Sequence, residues 1–385
     1  SGGKFNGFSQ GVTRLVSRGK TVDQAKETLF DEVRGNFRTF LKGQGDEPFC
    51  YWFGPTNVHR KWTKGSGKKL WDFEPDDLKG RLPPFLPDVP VVREDLADYL
   101  GEVAAFDTAL GVLIAELESA GQLDNTIIVV SGDHGAPGFP HGKCNLYDFG
   151  TRVCLAIAGP GVVGDRVVDD FVTLPDLAPT FLETGRVKVP EVMTAKTLWP
   201  VLKAEKEGLV DASRDHVLVG RERHVALARA GNLPYPQRAI QTKDHLLVVN
   251  FRPDRYPLGD PFRLGTDEEP NFEQMAQNTF VTLPDEDAGP TKAWIVTHRD
   301  DPKWKHFYDH AYGKRPKYEL FDLNKDPHQM TNVANSSEYA DELDRLKTRL
   351  MMELAQTNDP RLVDDGAFFE NPPMAGPIVA KRRKK

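Results

Sequence analysis

The feature that most constrains the fold is a short apolar strand that follows a long amphipathic helix. Residues 126–130 read Thr-Ile-Ile-Val-Val, a continuous apolar and β-branched run. Such runs are typical of strands that are buried on both faces, as in parallel sheets. The preceding helix is predicted from about Arg93 to Ala120, because its apolar residues recur at three- and four-residue steps before Gly121 stops it. This order of elements favours an α/β fold.

The segments before that helix predict the rest of a strand–helix–strand unit. Residues 21–43 form a predicted amphipathic helix, in which Thr21 and Gln24 have the spacing of a capping box. The apolar run 48–53 is predicted to be a buried strand that leads into a loop. A strand, a helix and a second strand in this order form a βαβ unit, which implies parallel pairing of the two strands.

The chain changes character after about residue 210. Shorter strand-like runs separated by turn signals appear there, at residues 216–219, 224–229, 245–251 and 318–323, before a final helix near 337–355. Residues 252–300 are rich in Pro, Asp and Gly and are predicted to be a long loop region, which is uncommon inside a compact domain unless it is functional. The sequence therefore predicts an α/β domain over residues 1–209 and a smaller α+β domain over 210–385, with an antiparallel sheet and a terminal helix.

Composition excludes several classes of protein. The 385 residues carry a net charge of −7 and are 39% hydrophobic, as in a globular protein and not a disordered one. No apolar run approaches the roughly 18 residues of a membrane span. The negative balance argues against a nucleic-acid partner, and the basic run Lys381–Lys385 is interpreted as a solvated tail. Three cysteines cannot form a disulfide framework.

A candidate metal site lies directly after the strand at 126–130. Residues 131–135 read Ser-Gly-Asp-His-Gly. Ligands of open α/β sheets bind beyond the carboxyl ends of the strands, so Asp133 and His134 could both face one metal ion while Gly135 lets the backbone turn. The alternative is that both residues form a turn and bond only to the backbone.

The segment that follows adds motifs in a recognisable order. These are Phe-Pro-His-Gly-Lys at 139–143, Asn-Leu-Tyr-Asp-Phe-Gly-Thr-Arg at 145–152, Ala-Gly-Pro-Gly at 158–161, Leu-Pro-Asp-Leu-Ala-Pro-Thr at 174–180 and Tyr-Glu-Leu-Phe-Asp-Leu at 318–323. Together they resemble the sulfatase family of the alkaline-phosphatase superfamily, over almost the whole chain. Within that family the chain looks most like heparan N-sulfatases and their bacterial relatives.

The resemblance implies a fold, a reaction and a set of site residues. The implied fold is an alkaline-phosphatase-like mixed sheet flanked by helices, and the implied reaction is hydrolysis of sulfate esters or N-sulfates on a sulfated carbohydrate. Asp133 and His134 match metal-ligand positions for a divalent cation, usually calcium in this family. Lys143 matches the cation that bridges sulfate and nucleophile, and His59 matches the loop histidine that protonates the leaving group. A solvated lysine and a surface histidine are the alternatives.

Three further basic residues are predicted to contact an anionic substrate. Arg60 follows the catalytic histidine candidate, and His224 and Arg238 lie on predicted strand ends of the second domain. An arginine can bind a carboxylate or sulfate through two parallel hydrogen bonds. For each of the three residues the alternative is an ordinary ion pair with a neighbouring acid.

One motif that the sulfatase resemblance leads us to expect does not occur in the sequence. Sulfatases use a formylglycine nucleophile, made from Cys or Ser in a Cys/Ser-x-Pro/Ala-x-Arg motif. None of Cys50, Cys144 and Cys154 begins that motif, and no serine does. In the family this motif and an N-terminal Asp-Asp metal-ligand pair precede the segment at which the chain begins, with Ser1. We therefore expect the nucleophile and the first strands to lie outside these residues, and the 385 residues alone to be inactive.

Two other functions stay open at this level. One is a non-catalytic, sulfatase-like binder of sulfated glycans; the other is a phosphodiesterase or phosphonate hydrolase of the same superfamily, which the Asp-His pair slightly favours. The sulfated substrate, its linkage and the oligomeric state are not determined by the sequence. The compartment is also open, although the resemblance suggests periplasmic, extracellular or lysosomal relatives.

Overall fold

The structure is a computed structural model that describes residues 5–45 and 47–373. Within them the α-helices are α1 (Phe8–Val16), α2 (Val22–Gln44), α3 (Ser66–Trp71), α4 (Pro90–Ser119), α5 (Asp148–Thr151), α6 (Leu177–Thr184), α7 (Trp199–Leu202), α8 (Phe272–Gln277), α9 (Pro290–Thr297), α10 (Lys305–Tyr312), α11 (Ala340–Gln356) and α12 (Ala367–Glu370). The strands are β1 (Ile128–Ser131), β2 (Leu155–Ala158), β3 (His216–Arg221), β4 (Gln237–Thr242), β5 (His245–Asn250) and β6 (Tyr318–Asp322). The start of the chain and the basic run 381–385 lie outside the described residues.

The two long helices confirm the sequence periodicity. Helix α2 begins at the predicted capping box: the Thr21 hydroxyl accepts from the Gln24 backbone at 3.2 Å, and the Gln24 side chain accepts from the Thr21 backbone at 3.0 Å. Helix α4 begins at Pro90, slightly before the predicted start. Proline is favourable at this position, because the first turn of a helix has no intrahelical hydrogen bond for its nitrogen to lose. Helices α1, α2 and α4 bury a common apolar cluster that includes Phe8 and Leu29.

The first sheet corrects the predicted strand pairing. Strand β1 lies where the apolar run predicts a strand, but it pairs antiparallel with β2, so that Ile128 faces Ala158. The run 48–53 forms no strand in the described residues, and its alternate aromatic side chains pack on the helical cluster. The βαβ unit and the mixed sheet are therefore absent from residues 5–45 and 47–373. Strand β1 is half-buried along its length and is not buried on both faces as predicted.

The second sheet is antiparallel, with the strand order β3-β4-β5-β6. One face packs against α11 through Leu346, Leu350 and Leu354, which confirms the amphipathic pattern of the final helix. The other face packs against Leu146 and Tyr147, which lie in the loop between β1 and α5. The sheet therefore supports the loop that contains the Gly-Lys motif.

Two predictions for the second half of the chain were wrong. Residues 224–229 form turns and no strand, and the predicted loop region 252–300 contains α8 and α9. Helices of six and eight residues are too short to show a clear period in the sequence. Helix α9 packs against α4 and buries Thr291, whose hydroxyl donates to Asp95 at 2.6 Å. The division at residue 209 stays a prediction.

Among the described residues, no helix combines the length and the apolar character that crossing a membrane requires.

Candidate active site

The structure brings together two of the predicted site residues and adds a third. The Lys143 Nζ lies 3.0 Å from His59 Nε2, although 84 residues separate them in the chain. Asp287 completes the group: its Oδ2 accepts from Lys143 Nζ at 3.1 Å and lies 3.8 Å from His59 Nε2. We call these three side chains the Lys143 cluster.

The hydrogen bonds of His59 define which ring nitrogen carries the proton. Its Nδ1 lies 2.8 Å from the Arg60 carbonyl oxygen, which can only accept, so Nδ1 donates to it. In the neutral ring Nε2 then has a lone pair and accepts from the Lys143 ammonium. A protonated ring would also donate from Nε2, towards Asp287 or towards a bound substrate.

The positive charge of Lys143 and the negative charge of Asp287 form an ion pair in the buried part of the cluster. The Lys143 and Asp287 side chains are 12% and 15% exposed, whereas His59 is 44% exposed. Burial by itself raises the pKa of the Asp287 carboxyl, but the Lys143 ammonium with its hydrogen bond, His59 and His224 outweigh burial and hold that pKa below its ordinary value. Asp287 therefore stays a carboxylate, and the cluster opens to solvent through His59.

The backbone around Lys143 is fixed by close contacts that only glycine permits. The Lys143 N–H donates to the Ala136 carbonyl at 3.0 Å. A Cβ on Gly142 would lie 2.1 Å from the same oxygen, and one on Gly135 would lie 1.7 Å from the Phe149 carbonyl. These distances are far below van der Waals contact, so the two glycines are needed where the loop folds back on itself.

His224 lies at the edge of the same region. Its Nδ1 is 3.7 Å from Asp285 Oδ1, and about a quarter of its side chain is exposed. Burial, followed by the Lys143 charge, holds the pKa of His224 below its ordinary value. Its predicted role as a substrate contact stays a prediction.

Arg60 lies beside His59 but is occupied by protein partners. Its guanidinium makes two 2.8 Å hydrogen bonds to the Asp95 carboxylate, and its Nε donates to the Pro137 carbonyl at 2.9 Å. The buried guanidinium also stacks on the Trp62 ring, 3.9 Å from its centre. This geometry matches the ion-pair alternative, because a buried Arg–carboxylate pair is costly to separate.

Arg238 shows the same arrangement in the second sheet. Its Nε and Nη2 contact the two Asp359 carboxylate oxygens at 2.5 and 2.8 Å, and its Nη1 lies 2.9 Å from Glu222. No hydrogen bond or ion pair joins it to the Lys143 cluster in the described part of the chain. The substrate contacts predicted for Arg60 and Arg238 remain untested predictions, and both guanidiniums are engaged elsewhere.

Asp133 and His134 form a separate, solvent-facing pair. The His134 Nδ1 lies 2.8 Å from the Gly135 carbonyl, so Nδ1 donates there and leaves the Nε2 lone pair free. The Nε2 atom lies 3.4 Å from Asp133 Oδ2. Asp133 Oδ1 accepts from the His134 backbone N–H at 3.1 Å, and the Asp133 side chain is 86% exposed. A carbonyl that orients an imidazole in this way is typical of metal-ligating histidines.

Asp133 and His134 could supply part of the coordination shell of a divalent metal ion. A carboxylate oxygen and an imidazole nitrogen supply two ligands, whereas calcium takes six to eight oxygens. In the stretches 5–45 and 47–373, no group of three or more His, Cys, Asp or Glu residues could hold a metal ion. Asp133 and His134 therefore suit two positions of a metal site and do not form one by themselves. No hydrogen bond or ion pair links them to the Lys143 cluster in these stretches.

Asp287 is the site residue that the sequence reasoning missed. It lies in the region 252–300, which was predicted to be a functional loop, and it ends the acidic run Asp-Glu-Asp at 285–287. Nothing in its local sequence indicates that Lys143, 144 residues away, is its partner.

Several solved structures share the fold of the chain. A structure from Bacteroides thetaiotaomicron, described in connection with the metabolism of multiple glycosaminoglycans, matches 91% of this chain and 62% of its own, with a TM-score of 0.59 and 16% identity. The phosphonate monoester hydrolase of Silicibacter pomeroyi matches 86% of this chain and 60% of its own, with a TM-score of 0.51 and 18% identity. The fold is thus the mixed α/β fold of this group of proteins.

Sequence comparison then relates the chain to a family. The sequence model of the family described as Sulfatase matches residues 4–186. Human N-sulphoglucosamine sulphohydrolase is 28% identical over 366 residues, which cover 86% of this chain and 66% of the human protein. The chain is therefore similar to the sulfatase family over residues 4–186. It spans less than two thirds of the length of these relatives.

Proposed function

We propose that the chain provides part of the active site of a sulfatase that hydrolyses sulfate esters or N-sulfates of sulfated carbohydrates, such as heparan-type sugars. The observation that carries this proposal is the Lys143 cluster, in which an ammonium, an imidazole and a carboxylate from three distant segments meet. The match to the sulfatase family and the similarity to human N-sulphoglucosamine sulphohydrolase support it.

Lys143 is proposed to bind the sulfate group. An ammonium has three N–H donors. In the structure one donates to His59 and one to Asp287, which leaves the third for a sulfate oxygen. Because the side chain is only 12% exposed, its charge is little screened by water and can stabilise the negative charge that develops on the sulfate oxygens.

His59 is proposed to protonate the leaving group. Its Nδ1–H bond to the Arg60 carbonyl keeps Nε2 directed at the cluster. When Nε2 carries a proton, Asp287 at 3.8 Å stabilises the imidazolium, and the proton can pass to the ester oxygen or sulfamate nitrogen that leaves. Imidazole suits this transfer because its ordinary pKa lies near neutrality.

The same site needs two groups beyond these side chains. We propose that Asp133 and His134 contribute ligands to a divalent cation, with calcium as the family's usual ion. When bound, such a cation polarises the sulfate oxygens. The family's formylglycine motif does not occur in the 385 residues, so the proposed activity belongs to a protein that also contains a nucleophile segment. His224, at the edge of the cluster, is proposed to contact the carbohydrate.

The decisive experiment compares aryl sulfate with aryl phosphate as substrates of a chain that includes the nucleophile segment. We expect faster hydrolysis of the sulfate and loss of this activity in Lys143→Ala. Faster hydrolysis of the phosphate would instead favour the phosphodiesterase or phosphonate hydrolase alternative. We test this alternative because the chain shares its fold with a phosphonate monoester hydrolase. Heparin binding without hydrolysis of either substrate would favour the non-catalytic binder.

A further inference from the structure

One buried arginine contacts two of the three segments that form the Lys143 cluster. Arg221, the last residue of β3, donates from Nη1 to the Cys144 carbonyl at 2.5 Å and from Nη2 to Asp285 Oδ2 at 2.6 Å. Cys144 directly follows Lys143, and Asp285 lies two residues before Asp287. The guanidinium is therefore a direct link between the loop that carries the ammonium and the loop that carries the carboxylate.

The link is buried and charged. Asp285 is fully buried, and Arg221 is nearly so. Burial raises the pKa of Asp285, but the charges of Arg221 and Arg229 outweigh it and hold the pKa below its ordinary value, so the group stays a carboxylate. Arg221 is one of two guanidiniums that pair with Asp285, and it also donates to the Cys144 carbonyl, so the link between the two loops depends on Arg221.

Arg229 provides a natural comparison, because it contacts the same carboxylate as Arg221. It also donates to Asp285 Oδ2, at 2.7 Å, and both guanidiniums lie near the Tyr235 ring, at 5.4 Å for Arg229 and 5.8 Å for Arg221. Its remaining bonds go to the carbonyls of residues 256 and 257. Arg229 thus anchors Asp285 without contacting the Lys143 loop.

We propose that Arg221 is a positioning residue that holds Lys143 and Asp287 within hydrogen-bond distance by tying their two loops together. This inference rests on the proposed function, because that function assigns the Lys143 cluster its role in binding sulfate. A guanidinium presents its donors in a rigid fork, so a single side chain can satisfy the Cys144 carbonyl and the Asp285 carboxylate at once. A lysine at this position could satisfy only one of these acceptors at good geometry.

The test measures how accessible Lys143 is to acetic anhydride, using the full chain and mass spectrometry of its peptides. In the wild type Lys143 is paired and mostly buried, so its acetylation is slow. We expect Arg221→Met and Arg221→Lys to acetylate Lys143 about five- to tenfold faster, through loss of the hydrogen-bonded link. Arg229→Met should leave the rate near the wild-type value. The fully buried Lys292 should stay unreactive in all variants, which separates loop movement from unfolding.

Each outcome supports or overturns the proposal. Faster acetylation in the Arg221 variants alone supports it, and Arg221→Lys decides the matter if Arg221→Met does not fold. Equal rates in the wild type and the Arg221 variants, or equal acceleration in Arg221 and Arg229 variants, overturns it. Adding inorganic sulfate to the wild type tests the proposed function separately, since sulfate bound at Lys143 should slow the acetylation. Absence of sulfate protection counts against that function and leaves the Arg221 result intact.

Discussion

The Lys143 cluster and the Asp133–His134 pair are built in opposite ways. The cluster joins side chains from three segments far apart in the chain, and its charged members are 12% and 15% exposed. The pair consists of consecutive residues at the end of β1, with an aspartate that is 86% exposed. The cluster is thus formed by tertiary packing, whereas the pair is formed by a local turn.

This difference indicates what each site still requires. In the cluster every charged group has an oppositely charged or hydrogen-bonding partner, so its geometry is maintained by the described residues themselves. In the pair the Asp133 side chain is 86% exposed and the His134 side chain 32%, and a metal ion bound there would need further ligands. Substitutions in the cluster should therefore have large effects, and substitutions in the pair small ones, on the chain as described.

The largest expected effect is that of removing the ammonium. In a chain that includes the nucleophile segment, Lys143→Ala should lower kcat/KM for an aryl sulfate about 10²- to 10³-fold, because a buried charge that stabilises the transition state is lost. Lys61→Ala is the matched control, since Lys61 is exposed and its side chain bonds to Gln277, at 3.2 Å, and to no other of the described residues. Activity of Lys143→Ala equal to that of the control would show that the cluster does not act on sulfate.

Removing the imidazole should have a smaller effect that depends on the leaving group. His59→Gln is expected to slow hydrolysis of a sugar sulfate about 10²-fold, the usual contribution of a general acid. Nitrophenyl sulfate should be affected much less, because its leaving group needs no proton. The measurement compares kcat for both substrates, with His306→Gln as the control. A uniform loss on both substrates would assign His59 to binding and not to proton transfer.

A buried histidine pair beside the cluster predicts acid sensitivity. The Nε2 atoms of His141 and His310 lie 2.7 Å apart, and His141 is two residues before Lys143. Burial, together with the positive charge of Arg315, lowers the pKa of both rings, that of His310 to about 4 from an ordinary 6.5. The unfolded chain therefore binds more protons between these values, so the free energy of unfolding should fall as the pH falls from about 6.5 to about 4, by roughly 3 kcal/mol for His310.

Urea unfolding at several pH values measures this loss. In His310→Gln the amide can still hydrogen-bond to His141 but does not titrate, so its stability should decline less over the same pH range. If the wild type and the variant lose stability in parallel, the acid sensitivity comes from other groups and the histidine pair plays no part.

The smallest expected effect is that of metal on the exposed pair. Adding calcium to the chain should raise Tm by no more than about 1–2 °C, because two ligands bind the ion weakly. Asp133→Asn should abolish this increase and Lys143→Ala should preserve it, as measured by thermal unfolding with and without the ion. A large increase that does not depend on Asp133 would locate the metal elsewhere.

Local sequence patterns predicted the parts of the fold that local interactions determine. The capping box at Thr21 and the period of α4 are both formed by residues close together in the chain. The meeting of Lys143 and His59 was predicted through the family resemblance, since no local rule brings together residues 84 positions apart.

The remaining features depend on partners that the sequence does not indicate. Arg60 and Arg238 were predicted to bind substrate, but their carboxylate partners lie 35 and 121 residues away. Asp287 was missed for the same reason. The predicted βαβ unit was wrong because the run 48–53 forms no strand in the described residues, and β1 is half-buried instead of buried on both faces.

The central claim is that sulfate binds at the Lys143 cluster and not elsewhere on the chain. A titration of ¹⁵N-histidine-labelled protein with inorganic sulfate, followed by NMR, tests this claim directly. We predict that the His59 ring resonances shift and saturate, that those of His216 do not move, and that the His59 shift is lost in Lys143→Ala. A His59 signal that is unaffected by sulfate, or that shifts equally without the lysine, would contradict the claim.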